Sequence, residues 1–136
     1  IIDGAHNPDG ALALRKTMTT FCSGKKILMV TGMLADKDTD TILKEFTQIT
    51  GDFIVTEPVN PRKMSKEDLK AKIEALGGSV KAAEEYEEAF RLAACSSQDG
   101  SAESAGEYDV ILFAGSLYLI GEIRALIRKW RENKQE

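Results

Sequence analysis

Asp109-Val110-Ile111-Leu112-Phe113-Ala114, running into Gly115-Ser116-Leu117-Tyr118, decides the fold. Five consecutive apolar residues show no alternation of polar and apolar positions, so the run reads as a strand buried on both faces. Gly115 and Ser116 make a tight turn. Leu119, Ile123, Leu126, Ile127 and Trp130 then recur at helical spacing and predict a last helix, with Arg131 to Glu136 as a polar tail.

The same strand, loop and helix unit recurs upstream. Lys26 to Val30 is a short apolar run, and Ile42, Leu43 and Phe46 mark the helix after it, ended by Thr50-Gly51. Phe53 to Thr56 is a β-branched strand followed by the two-proline loop Glu57 to Arg62. Ser65 is placed to cap a third helix with Leu69, Ile73 and Leu76 inward, stopped by Gly77-Gly78. Ser79 to Ala82 is a weak strand, and Glu84 to Ala94 a helix with Tyr86, Phe90 and Leu92 or Ala93 inward. At the start, Asn7-Pro8 pairs an N-cap residue with proline at the first helical position, ahead of the stripe Leu12, Leu14, Met18 and Phe21. Helix and strand alternate throughout, so the expected fold is α/β: one domain over residues 1–136, a mainly parallel sheet with helices on both faces. Residues 96–107 hold almost no apolar side chain and are expected to be the most mobile internal segment.

Composition sets the class. With 43% hydrophobic and 29% charged residues, the chain is an ordinary globular domain. A net charge of −4 argues against a nucleic-acid partner. The longest apolar runs are too short to cross a bilayer, so no membrane association is expected. Cys22 and Cys95 have no metal-ligand spacing; they fit either one long-range disulfide or two thiols in a cytosolic protein. His6 is the single histidine, which excludes a histidine-rich metal site.

Chemistry concentrates in three loops, 3–8, 31–38 and 114–118, each expected at the C-terminal end of a strand, where ligands sit in parallel sheets. Asp3-Gly4-Ala5-His6-Asn7-Pro8 places an acid, an imidazole and a carboxamide at a helix N-terminus, which attracts phosphate. His6 can donate to a phosphate oxygen there, and Asp3 can accept from a ribose hydroxyl. The same residues also fit a plain helix cap with His6 on the surface. Asp36-Lys37-Asp38 offers an ammonium for a carboxylate or phosphate, or else a solvated cap. Ser116 and Tyr118 offer hydroxyls, or a plain turn. No P-loop and no Gly-x-Gly-x-x-Gly motif is present, so a bound nucleotide would need its phosphate grip from another domain. Only Ile1 and Ile2 precede the first loop, where a strand normally stands, so the reading expects a piece of a longer enzyme.

The loop at 3–8 resembles the signature of folylpolyglutamate synthases and dihydrofolate synthases, members of the Mur ligase superfamily. Gly32 to Asp38, the Pro61-Arg62 pair, and Gly115 to Leu119 with Gly121-Glu122 are similar to further motifs of that family, in the same order. The resemblance implies a Rossmann-like C-terminal domain of an ATP-dependent amide ligase that adds L-glutamate to folates through an acyl phosphate, in the cytoplasm. It implies ATP and Mg²⁺ as cofactors, with the P-loop and metal ligands on a missing N-terminal domain. It places Asp3, His6 and Asn7 at ATP, with His6 catalytic, no metal ligand in this chain, and Lys37, Ser116 and Tyr118 on the acceptor side. The partners it implies are folate, L-glutamate, ATP and the chain's own N-terminal domain. The alternative is a non-catalytic phosphate- or nucleotide-binding α/β module.

Overall fold

A computed structural model describes residues 1–96 and 108–134. Its elements alternate as the sequence predicts: α1 (Pro8–Phe21), β1 (Ile27–Thr31), α2 (Thr39–Ile49), β2 (Asp52–Val55), α3 (Lys66–Ala75), β3 (Ser79–Ala82), α4 (Tyr86–Ser96), β4 (Val110–Ala114) and α5 (Leu117–Lys134). The sheet order is β3-β2-β1-β4, and every pairing is parallel. All five β1 residues are buried, as a central strand covered on both faces requires.

A fifth, rudimentary strand lies outside β4. Ile2 pairs in parallel with Phe113. Asp3 N donates to Phe113 O, Phe113 N to Ile1 O, each at 2.9 Å, and the Ile1 amine donates to Ile111 O. The strand expected ahead of the first loop is therefore present as these residues, and it fixes the loop to the sheet edge.

The two faces have separate cores. Ile27 and Met29 of β1 pack with Leu14, Met18, Ile42, Phe46, Leu69 and Ile73, so α1, α2 and α3 cover one face. Leu28 and Val30 pack with Ala89, Ala93, Leu119 and Ile123 of α4 and α5 on the other. Ion pairs join the first three helices: Arg15 with Glu45, and Lys72 with Asp40 at 2.9 Å.

Several inward positions differ from expectation. Phe21 is 79% exposed, because the buried stripe of α1 runs Ala11, Leu14 and Met18 and then continues to Cys22, which packs on the core. Leu76 is 41% exposed; it is the C-cap of α3, just before Gly77 turns away at φ +92°. In α4 the fully buried positions are Ala89 and Ala93, with Tyr86, Phe90 and Leu92 half-buried around them. Small side chains let this helix lie close to the sheet. The expected polar tail from Arg131 is helical as far as Lys134, since α5 continues through it. Cys22 is a free, half-buried thiol. The acidic connection expected to be mobile lies outside the described residues, apart from Ser96 at the end of α4. No helix among the described residues is long and apolar enough to cross a membrane.

Candidate functional site

Because the strands are parallel, the loops after the first strand, β1 and β4 all leave the same edge of the sheet. The first loop is tightly wound. Asp3 Oδ1 accepts from Ala5 N at 2.8 Å, and Ala5 is buried beneath the loop. Asn7 caps α1, its Oδ1 accepting from Gly10 N at 2.7 Å, with Pro8 as the first helical residue. That bond uses the carbonyl end of the carboxamide and leaves its NH₂ end for a ligand.

His6 is half-buried, and its Nδ1 lies 2.8 Å from the Gly4 carbonyl. A carbonyl only accepts, so Nδ1 carries the proton. In the neutral ring Nε2 is then a bare acceptor. It donates only when the ring takes a second proton. A cavity of about 260 Å³ lies alongside, lined by Asp3, His6, Asn7 and Gly10 with Leu14 and Thr17 of α1. It is the size of part of a ligand rather than a whole nucleotide.

The second loop is stitched to the loop after β2. Leu34 pairs antiparallel with Lys63, Ala35 N donates to Arg62 O at 2.7 Å, and Met64 N donates to Met33 O at 2.8 Å. Arg62 also pairs with Asp36 at 2.7 Å, and Asp38 caps α2 through Thr41 N. Both aspartates are thus committed within the protein. Lys37 is half-buried, with no ion pair among the described residues.

In the third loop Ser116 is 2% exposed, and its Oγ accepts from Tyr118 N at 3.2 Å, capping α5. Tyr118 is 48% exposed. The loops touch through glycines. A Cβ on Gly115 would lie 3.1 Å from Gly32 O, and one on Gly4 would lie 2.9 Å from Leu117 Cδ2. The fold therefore brings the three loops together, through backbone between Gly115 and Gly32 and through the Leu117 side chain at Gly4. It does not bring Lys37, Ser116 or Tyr118 into the cavity beside His6.

Two features escape a reading of the sequence. Thr31, ending β1, and Thr56, the residue after β2, are fully buried, and their hydroxyls have no partner among the described residues. The Thr31 hydroxyl lies 2.3 Å from where a Cβ on Gly115 would sit. A threonine ending an otherwise apolar run was the available signal. The other is a charged cluster around Glu57, which accepts from Lys63 Nζ at 2.5 Å and from Lys66 N at 3.0 Å. The Lys63 ammonium, then the Lys66 N–H, hold the Glu57 carboxyl below its usual range. Glu67, followed by Glu57 and Glu84, raises the Lys66 ammonium. The Glu122 carboxylate beside Tyr86 pushes its phenol up. Among the described residues no three His, Cys, Asp or Glu side chains could hold a metal together.

The family model described as "Mur ligase, glutamate ligase domain" matches residues 1–117. The dihydrofolate synthase/folylpolyglutamate synthase of Mycobacterium tuberculosis is 32% identical over 132 residues, covering 92% of this chain and 27% of that protein. The structure of E. coli FolC in complex with DHPP and ADP is similar with a TM-score of 0.80 at 25% identity, over 96% of this chain and 29% of that one. That of the bifunctional folylpolyglutamate synthase/dihydrofolate synthase of Yersinia pestis, complexed with AMPPNP and Mn ion, gives 0.76 at 27% identity, over 93% and 28%. The chain thus spans less than a third of the length of each of these relatives. The family match takes in all four strands and the loops at their C-terminal ends, and the chain belongs to the Mur ligase family by its glutamate ligase domain.

Proposed function

We propose that this chain is the C-terminal domain of a cytoplasmic ATP-dependent ligase that adds L-glutamate to folates. The observation that carries the reading is the wound segment Asp3–Asn7, set on the N-terminus of α1 beside a cavity at the strand ends. Free N–H groups at a helix start favour phosphate. Relatives of the chain are described with ADP, and one with AMPPNP and Mn ion. Among the described residues the donor set fits a nucleotide and groups no three metal ligands, and we assign Mg²⁺ mainly to an N-terminal domain that would also carry the phosphate cradle.

In the reaction, a folate carboxylate oxygen attacks the γ-phosphorus of ATP and ADP leaves. The amine of L-glutamate then attacks the acyl carbon and loses a proton, and phosphate leaves as the amide forms. This chain's residues bind and position. Asp3 gives one carboxylate oxygen to Ala5 N and keeps the other for a ribose hydroxyl. The Gly4 carbonyl fixes the His6 ring. Nε2 accepts a hydroxyl proton when the ring is neutral and donates to a phosphate oxygen when it is charged. Asn7 donates through its NH₂. Lys37 and Tyr118 serve the acceptor side, and Ser116 serves it by holding the α5 N-terminus. Closing this edge over the other domain would keep water from the acyl phosphate.

The test is His6→Ala in the enzyme that contains both domains. Loss of a donor to developing charge lowers kcat by roughly 10²–10³, with an unchanged melting temperature. An unaltered kcat and KM for ATP would overturn the role of His6. If glutamate addition to folate persists without residues 1–136, the chain is instead a non-catalytic binding module.

A further inference from the structure

α5 is 18 residues long, and its two flanks differ. Leu119, Ile120 and Ile123 are buried against the sheet, and Glu122 takes the Tyr86 hydroxyl on the flank toward α4. The other flank is built from positions 117, 121, 124, 128 and 131, whose steps of four and three residues form one stripe. It reads Leu117, Gly121, Arg124, Arg128, Arg131, all exposed. A Cβ on Gly121 would meet nothing within 4 Å, so the stripe is open there. None of the three arginines forms an ion pair among the described residues.

The stripe has a direction. Its upper end, Leu117, packs against Gly4 of the candidate site. Its lower end, Arg131, lines a cavity of about 360 Å³ together with Ile1, at the start of the edge strand. A helical rise of ~1.5 Å per residue sets the three arginine Cα positions about 6 and 4.5 Å apart along the axis. Three guanidinium groups with no ion pair among the described residues make this stripe cationic in a chain of net charge −4, and each can grip a carboxylate through two N–H groups.

We propose that this flank of α5 is a track for an oligo-γ-glutamyl chain. The assignment rests on the ligase reading above, which names a product that gains one glutamyl unit per turnover. Each γ-linked unit keeps a free α-carboxylate, so the tail is a flexible polyanion made by the reaction itself. With the reacting terminal carboxyl held at the strand ends beside Tyr118, the units already added run from Leu117 down past Arg124, Arg128 and Arg131.

Binding of γ-linked penta-L-glutamate to this 136-residue chain, followed by Trp130 fluorescence, is the direct test. Affinity is expected to rise with the number of units, to fall with salt, and to weaken roughly tenfold or more in Arg124→Gln/Arg128→Gln. Lys129→Gln, off the stripe, leaves it unchanged. Equal binding of α-linked penta-L-glutamate, equal affinity for one unit and five, or wild-type binding by the double variant would each overturn the track. In the enzyme with both domains, the double variant should keep the first glutamate addition and raise KM only for long-tailed substrate. Absence of the first addition in the wild type rejects the ligase reading. A normal first addition with no dependence on tail length in the variant rejects the track alone.

Discussion

Gly115 carries two constraints at once: φ +118°, and the Thr31 hydroxyl 2.3 Å from the position of a Cβ. Gly115→Ala is therefore expected to cost about 2–3 kcal/mol in urea unfolding, from strained backbone and displaced Thr31. Gly121→Ala is the control. It sits in a helix with open space around it, and alanine there should stabilise by up to about 1 kcal/mol. Asp3→Ala is expected to act differently from His6→Ala. It removes the acceptor for Ala5 N and the free oxygen beside it, so in the two-domain ligase proposed above KM for ATP should rise more than kcat falls. Residue types at the site were legible because Asp, His and Asn before a helix-starting proline have few purposes. Their bonding was not. Nothing in the order Gly4-Ala5-His6 announces that the Gly4 carbonyl claims Nδ1, since that depends on how the loop winds. The burial of Ser116 is equally silent in sequence, because a serine after a strand serves a ligand or a cap with the same atoms.

Among the elements, strands were read most securely, because a parallel sheet covered on both faces demands unbroken apolar runs. β3, with alternate residues exposed, gave the weakest signal and lies at the sheet edge. Helix positions were read less well wherever a residue lay at a helix end. Phe21 matches the stripe of α1 by spacing, yet it lies in the last turn and faces solvent. Phe21→Ser should accordingly change stability by less than about 0.5 kcal/mol. Phe46→Ala, in the last turn of α2 but fully buried on its inward stripe with Ile42 and Leu43, should cost about 3–5 kcal/mol. Asn7→Ala removes the cap of α1 and should cost about 1 kcal/mol in thermal or chemical unfolding.

At the scale of the molecule, the Glu57 cluster binds the loop after β2 to the start of α3 and, through Lys63, to the loop after β1. Folding depresses the Glu57 carboxyl, with the Lys63 hydrogen bond as the largest cause. The stabilisation it brings is present at neutral pH and is lost as pH falls through the depressed value. Glu57→Gln should lower stability by about 1 kcal/mol at pH 7 and flatten the acid side of a stability–pH curve; an unchanged acid limb would show that the cluster contributes nothing. The alternation of elements made the layer order legible, but no local signal fixes which strand neighbours which. That choice has a kinetic consequence. β1 pairs with β2 across one short helix, whereas it meets β4 only after most of the chain has been laid down, and the bond from the Ile1 amine to Ile111 O spans 110 positions. Contacts so distant in sequence close slowly. The α2–α3 half is placed to form first, and the strand ends that carry Asp3, His6 and Gly115 come together last. Protection of the Asp3 amide, which donates to Phe113 O, should therefore return with the slowest refolding phase, after most secondary structure has been regained.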